Sequence, residues 1–493
     1  MREREYIIKT IFTIVYYCGI IMVCASVILL LPLLILPFWP EELKYSWCFI
    51  LPAASSAAVG GFIILFMKDK QKITMDLIHG AVIVVFAWAY TISIGAVPLA
   101  LMDNMNYLLG LFESISGWTG TGLTVMVPEK CPHVILLWRS LSQYLGGAGF
   151  ALIMMSVLSG TSATSVYHVE GHPHEIFPNV KKSASIIFKI YLLYLFLGSA
   201  SLTIAGMPLF DSVNHTMCAL GTGGFSTKNL SIGFYNSIPI NIICILIMYA
   251  GSMSFTSHNF LLKGKFNIVK RNVEFKTSLI AIGSITVLTA LAALYPLYKD
   301  MGKAFMTAAF ETVSSMSGTG FSITDYTVWP SIGIFLNIIA MCIGGQTNST
   351  SGALKQLRVA IIFKSVWWLI RQQFLPRNVV ETHYIYKGEE KIFIKSEHVQ
   401  EVFMFAGIYV MSLLFGSGLL MAMGVPMQSA FFEFSSAQGC VGQSIGVTSP
   451  SAQPGILLTL MYGMFFGRLE FLVIFYAVIK VFKDIGVLIS KEA

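Results

Sequence analysis

Residues 11–37, 47–67, 78–102, 134–158, 184–206, 238–262, 275–296, 399–422 and 454–482 are apolar runs, and a tenth run, 331–370, is interrupted by polar residues from Gly344 to Ser351. A helix needs about 20 such residues to cross the hydrocarbon core of a bilayer. In lipid every backbone polar group must be satisfied internally, so a chain of this pattern is confined to a bundle of membrane-spanning helices. Composition agrees: only 12% of the 493 residues are charged, about half the share of an ordinary soluble domain. The first run is too long for a cleaved signal and has no small-residue cleavage pattern after it, so it reads as a retained helix.

Basic residues in short loops mark the cytoplasmic side. With the N-terminus inside, the outer segments hold only Lys44, Lys130, Lys228, Lys299 and Lys303 of the 32 basic residues. Arg139, Lys189 and Arg468 fall within spans, and the remainder are inside. The expected topology has both termini cytoplasmic. The net charge of +7 reflects this bias and is no sign of nucleic-acid binding. The eight cysteines are scattered and form neither a CxxC pair nor a Cys/His ligand spacing, so neither a disulfide framework nor a zinc site is expected.

A repeat lies between the spans. Phe112-Glu113, Phe310-Glu311 and Phe432-Glu433 each precede a glycine (Gly122, Gly320, Gly442) by nine positions counted from the glutamate, and His215 precedes Gly224 by the same interval. The four segments read FESISGWTGTGLTV, NHTMCALGTGGFST, FETVSSMSGTGFSI and FEFSSAQGCVGQSI. Each is a short helical stretch, too short to cross, followed by small residues. Irregular backbone at membrane depth is tolerated only in a protein interior or along a water-filled cavity. Four such loops around one axis make a pore, in which backbone carbonyls replace the water stripped from a cation. Glycine adopts the positive φ values that aligned carbonyls need, and each short helix aims the negative end of its dipole at the ion. The bland alternative, glycines that merely pack helices or form turns, does not explain a shared offset from Phe-Glu. Glu113, Glu311 and Glu433, with His215, either brace the loop backbone or add negative potential; bracing is favoured, because they stand so far from the glycine.

The interrupted span holds GGQTNSTSGALKQLR, Gly344–Arg358, which cannot stay a lipid-facing helix without cost. It is expected to unwind below the four loops, on the cytoplasmic side, with a simple kink as the alternative. Arg468 interrupts the last run. A guanidinium there needs polar partners in the bundle interior or a cavity; it either projects toward the pore and bonds the unwound loop, or pairs with Glu470 or a short-helix glutamate. Arg139 lies near the outer end of its run, where snorkelling to the interface suffices. The inner loop HVEGHPHE, His168–Glu175, has a composition compatible with metal binding but no common ligand spacing. Residues 379–395 alternate around Lys387-Gly388-Glu389, as a small cytoplasmic hairpin does.

Taken together, the four loops, YLGGAGF at 144–150, GTGGFST at 221–227, SFTSHNFLLKGK at 254–265, GGQTNSTSGALK from Gly344 and GRLE at 467–470 make the chain resemble the Trk/Ktr/HKT superfamily of potassium transporters, and within it the bacterial TrkH type. The likeness covers nearly the whole chain, and the two extra N-terminal spans also match the TrkH type. It implies an all-α integral membrane fold: four pseudo-symmetric helix/pore-loop/helix repeats around a central ion pore, plus two extra N-terminal helices. The expected division is 1–73 for those two helices, 74–165, 166–265 and 266–372 for three repeats, 373–398 for a linker with the hairpin, and 399–493 for the fourth repeat.

The resemblance further implies a selectivity filter with K+ as the bound substrate ion. Its residues are Gly120, Thr121, Gly122 and Leu123; Thr222, Gly223, Gly224 and Phe225; Gly318, Thr319, Gly320 and Phe321; and Cys440, Val441, Gly442 and Gln443. It implies a gate made of Gly344, Gly345, Gln346, Thr347, Asn348, Ser349, Thr350, Ser351 and Gly352 with Arg468. Glycine at all four filter positions is similar to the K+-selective members. Gly120 stands where the TrkH type usually has threonine, and Gln443 where an apolar residue is common. A homodimer in the bacterial cytoplasmic membrane is implied, carrying a TrkA-like ring of nucleotide-binding regulatory subunits, with no organic cofactor in this chain. The expected function is K+ uptake, not catalysis. A Na+-permeable or ion-coupled relative is the alternative, and a membrane-embedded lipid-modifying enzyme using the His168–Glu175 cluster is a remote one.

Overall fold

The computed structural model describes residues 2–68, 77–102, 105–157, 180–376 and 382–489. The cluster His168–Glu175 and the expected boundaries at 73/74 and 165/166 lie outside them. Among the described residues, six helices are long and apolar enough to cross a membrane, and a further pair is bent.

Two helices precede the repeats. Helix α1 (Arg2–Leu30), extended by a 3-10 segment Leu31–Phe38, runs against α2 (Ser46–Met67). Their contact is glycine-mediated: the Gly19 carbonyl lies 2.7 Å from where a Cβ on Gly60 would stand. Small residues at a crossing let two backbones approach where lipid supplies no hydrophobic force to join them.

Four repeats follow. The first is α3 (Leu77–Met102), the short α4 (Tyr107–Trp118) and α5 (His133–Val157). The second is α6 (Val180–Ile204), the short α7 (Leu209–Leu220), then α8 (Ile238–Ser252) and α9 (Phe255–Leu262). After α10 (Phe266–Arg271), the third is the span α11 (Val273–Tyr298), which contains a π turn at Ala290–Leu294, then the short α12 (Met301–Ser317), α13 (Ser331–Ile343) and α14 (Gln356–Gln372). The fourth is α15 (Ser396–Ala422), the short α16 (Met427–Gln438), α17 (Pro454–Arg468) and α18 (Leu472–Ile489). The short helices start at caps or prolines: the Asn106 side chain accepts from Leu108 N at 3.2 Å, Asp300 from Lys303 N at 3.1 Å, and Pro208 and Pro426 stand at the other two N-caps. Most of their residues are buried, as expected of helices enclosed by others.

Three predicted spans are broken rather than one. The expected interruption of 331–370 is there, from Gly344 to Lys355. The run 238–262 is not a single span either, since α8 and α9 meet at 112°. The run 454–482 also divides, at Leu469–Phe471, where Glu470 and Phe471 take left-handed φ values of 53° and 27°. A lone glycine stands two residues before each of these last two breaks, Gly251 and Gly467, still within the helix. At the first of them a partner remote in sequence satisfies the freed backbone groups: Ser252 O accepts from Gln346 N at 2.9 Å and Ser254 N donates to Gln346 Oε1 at 3.0 Å. At the second, Phe471 N bonds locally to Phe466 O, while the Glu470 side chain pairs with Arg358 at 2.6 Å.

Strands β1 (Tyr384–Lys387) and β2 (Glu390–Phe393) form the expected hairpin, with Tyr384 opposite Phe393 and Lys387 opposite Glu390. Ile385 joins Val273, Ala360, Ile361 and Val402 in one buried cluster. The Arg271 guanidinium lies over the Tyr386 ring at 3.3 Å. Burial draws the Lys387 ammonium below the usual lysine range, against the opposing pull of Glu274.

Candidate functional site

The four short helices end at a common point. In each repeat the amide just before the key glycine donates to a carbonyl near the short helix's end: Thr121 N to Ser116 O at 2.9 Å, Gly223 N to Cys218 O at 2.8 Å, Thr319 N to Ser314 O at 3.0 Å and Val441 N to Ser436 O at 2.8 Å. The glycines themselves are left-handed, with φ of 93°, 76°, 78° and 95° at Gly122, Gly224, Gly320 and Gly442. Two residues earlier φ is again positive, at Gly120, Thr222, Gly318 and Cys440. Repeats two and four hold this conformation with a side chain, at a steric cost glycine avoids. Alternation of left-handed with ordinary residues turns successive carbonyls to one side.

The loops close on one another in order. A Cβ on Gly122 would strike Gly223 O; on Gly224, Thr319 O; on Gly320, Val441 O; and on Gly442, Thr121 O. Each glycine therefore lies against the carbonyl that precedes the equivalent glycine of the next repeat, and the fourth returns to the first. Above the ring opens a cavity of about 510 Å³ lined by residues of all four repeats, Gly122, Gly224, Gly320 and Gly442 among them.

The anchors of this ring follow one rule. Glu113 accepts from Thr124 Oγ1 at 2.8 Å and Val125 N at 3.0 Å. Glu311 accepts from Ser322 Oγ at 3.1 Å and Ile323 N at 2.8 Å, and Glu433 from Ser444 Oγ at 2.7 Å and Ile445 N at 3.1 Å. His215 plays the same accepting part in the second repeat. Its Nδ1 faces Asp211 O at 2.8 Å, which only accepts, so Nδ1 carries the proton and Nε2 accepts from Ser226 Oγ at 2.9 Å. The hydroxyl stands eleven residues after the acid or histidine in every repeat. That regularity was legible in the four segments and was missed.

Arg139 overturns an expectation. It does not snorkel: its side chain is 2% exposed and its Nε lies 2.7 Å from Glu113. It also donates to Ser226 O at 3.2 Å and Thr124 Oγ1 at 3.0 Å, with its guanidinium over the Phe225 ring at 4.1 Å. One turn on, Gln143 donates to Gly223 O at 2.5 Å and accepts from Phe225 N at 2.9 Å. Helix α5 thus carries polar side chains that grip the loop of the following repeat. Position near a span's end does not reveal this, because the partner is an acid on a different helix.

Below the ring, the unwound segment Gly344–Lys355 meets repeats 2, 3 and 4 directly, and Arg468 links it to repeat 1. Thr350 Oγ1 donates to Leu220 O at 3.2 Å and Gly251 O at 3.0 Å. The Ser351 Oγ lies 3.0 Å from a Cβ built on Gly318, and Gly352 fits only because it has none, with Gly439 O at 2.7 Å. Thr347 donates from N and Oγ1 to the buried Glu274 at 2.7 and 2.9 Å, Gly345 N donates to Ser351 Oγ at 2.9 Å, and Ser349 Oγ donates to Gln346 O at 2.5 Å. Asn348 O accepts from Phe255 N at 3.1 Å. Arg468, at the end of α17, donates to Thr350 O and to Gly146 O at 2.6 Å. The alternative ion pairs do not form with it: Glu470 is taken by Arg358 at 2.6 Å and Glu113 by Arg139. Among the described residues no group of three or more His, Cys, Asp or Glu is placed to hold a metal ion.

Residues 53–484 match the model of the TrkH family, described as cation transport proteins. The chain belongs to the TrkH family. An uncharacterized cation transporter of Methanocaldococcus jannaschii is 29% identical over 467 residues, 94% of either chain. The Trk system potassium uptake protein TrkH of Salmonella typhimurium is 27% identical over 427 residues, 83% of this chain and 87% of its own. The crystal structure of the potassium transporter TrkH from Vibrio parahaemolyticus superposes with a TM-score of 0.80 at 24% identity, covering 95% of this chain and 98% of the other, a likeness that shows the fold. This TrkH-family chain is therefore an all-α, multi-pass membrane transporter with four repeats, and not an enzyme.

Proposed function

We propose that this TrkH-family chain takes up K+ through the ring of backbone oxygens. The observation that carries the reading is the cyclic closure of the four glycine loops, each pressed on the next carbonyl. A dehydrating cation meets oxygens there and, from the short-helix ends, four negative dipole termini. The filter comprises the four loop quartets from Gly120 to Leu123, Thr222 to Phe225, Gly318 to Phe321 and Cys440 to Gln443. Glu113, His215, Glu311 and Glu433 brace it through the segment that follows each glycine. Relatives named as potassium uptake proteins support K+ as the substrate. The segment Gly344–Gly352 with Arg468 is the gate, a reading supported by the hydrogen bonds of Thr350 with Leu220 O and with Arg468, which put a guanidinium beside the end of a short helix.

The domain division at 265/266, 372/373 and 398/399, a cytoplasmic-membrane location with both termini inside, a homodimer and a cytoplasmic ring of nucleotide-binding subunits belong to the same reading. An inside-negative potential drives uptake by about 2.3 kcal/mol per charge for each 100 mV.

Ion flux into liposomes holding the purified chain alone tests the reading. K+ flux with a bi-ionic reversal potential favouring K+ over Na+ is expected. A Na+/K+ permeability ratio above unity overturns K+ selectivity, and absence of any cation flux from an open variant overturns the pore. That variant is Arg468→Ala, which removes the two carbonyl tethers and the obstructing charge; steady K+ flux is expected to rise about tenfold, the equivalent of roughly 1.4 kcal/mol. Unchanged flux in a folded Arg468→Ala protein removes the arginine from the gate.

A further inference from the structure

The residue after the key glycine is apolar and buried in three repeats: Leu123, Phe225 and Phe321. In the fourth it is Gln443, equally buried at 2% exposure, and the structure has made a place for it. Gln443 Nε2 donates to Glu311 Oε2 at 3.1 Å. Its Oε1 accepts from Asn337 Nδ2 at 2.8 Å and lies 2.7 Å from Ser315 Oγ. Ser315 Oγ is also 2.6 Å from Asn337 Oδ1. A carboxylate only accepts, so the Gln443 amide has one sensible orientation, and the Asn337 amide follows from it. All the partners belong to repeat 3, and all are at most 3% exposed.

The position of Asn337 gives the arrangement further meaning. It is the seventh residue of α13, as Arg139 is the seventh of α5, and each stands seventeen residues after its repeat's glycine. Arg139 reaches the loop of repeat 2 and the glutamate of its own repeat. Asn337 reaches the loop of repeat 4 through Gln443, which in turn bonds the glutamate of repeat 3. One device thus ties loop 2 to repeat 1 and loop 4 to repeat 3, with charge in the first case and amides in the second. Loop 4 depends on it, because it also holds Cys440 left-handed at φ 52° and so carries strain its neighbour Gly318 does not.

We propose that Gln443 is a specificity-determining residue for K+, acting as a positioning residue: its amide pins the fourth loop to repeat 3 and keeps the Val441 carbonyl from collapsing onto a smaller ion. The proposal rests on the reading of the ring as a K+ filter. A ring that relaxes inward gives Na+ the short contacts it needs, and the network resists this through hydrogen bonds among groups at most 3% exposed.

The test is the K+/Na+ permeability ratio of the full-length chain in liposomes, a quantity indifferent to how much protein is reconstituted. Gln443→Met keeps length and volume but loses the hydrogen bonds. It is expected to lower the ratio about tenfold, the scale of one lost hydrogen bond. Asn337→Ala, made on the neighbouring helix, is expected to lower it in the same direction, and the double variant no further than the worse single one, since both cut one network. A Gln443→Met or Asn337→Ala protein as selective as the wild type overturns the proposal, as does an additive double variant. If only one of the two single variants folds, that one decides. A wild-type chain that passes Na+ as readily as K+ overturns the filter reading itself, an outcome distinct from a selective wild type with an equally selective variant.

Discussion

Gly320→Ala is expected to abolish K+ uptake, leaving at most about one hundredth of the wild-type rate, the factor that corresponds to roughly 2.7 kcal/mol. Two costs add. At φ 78° an alanine pays about 1–2 kcal/mol for the left-handed conformation, and its Cβ would overlap Val441 O of the adjoining loop. The overlapped atom is backbone and cannot rotate aside, so the ring must open or the loop must flip. The result is read as K+-limited growth of a transport-deficient strain and as flux in liposomes. Gly283→Ala is the matched control. Gly283 lies in α11 with nothing within 4 Å of a built Cβ, and its substitution is expected to leave flux unchanged. Wild-type uptake by a folded Gly320→Ala protein removes the ring from the transport path.

Arg139→Met is expected to destabilise the protein by about 3–5 kcal/mol, because it leaves the fully buried Glu113 without its countercharge. The melting temperature in detergent measures the loss. Removing both charges, as Arg139→Met with Glu113→Gln, is expected to recover most of it, since a neutral pair of similar volume carries no uncompensated charge. The glutamine oxygen still accepts from one of the two donors now served, Thr124 Oγ1 or Val125 N. If the double variant is no more stable than Arg139→Met, the pair is not what holds this part of the ring.

How much of this was legible in the chain is shown by particular residues. The nine-residue interval to glycine, from Phe-Glu in three units and from His215 in the second, placed all four loops, and the run of small polar residues from Gly344 placed the break in the third repeat. Both signals are local: glycine spacing and polarity are written in neighbouring residues. The bend between Ser252 and Phe255 is marked only by the lone Gly251 beside it, which does not by itself end a helix. Its Ser252 carbonyl is satisfied by Gln346 N at 2.9 Å, some ninety residues away, a partner that no local pattern announces. Arg139 was misplaced for a related reason. A charged residue near the end of a span is ordinarily within reach of water, and only the packing of α5 against α4 shows that a glutamate waits inside.

Membrane residence, the fourfold occurrence of one short-helix-and-loop unit, and the glycine in each unit that must be free of a side chain can all be read from the chain. Periodicity, composition and a repeated interval suffice for these, because each is a property of contiguous residues. The closure of the loops in the order one to four, the breaks in two further helices, and the burial of Arg139 and Gln443 as tethers come from the folded arrangement. Those outcomes depend on which polar group of a distant repeat meets each freed donor or acceptor in a medium without water. That pairing is a matter of three-dimensional proximity, which no spacing along the chain encodes.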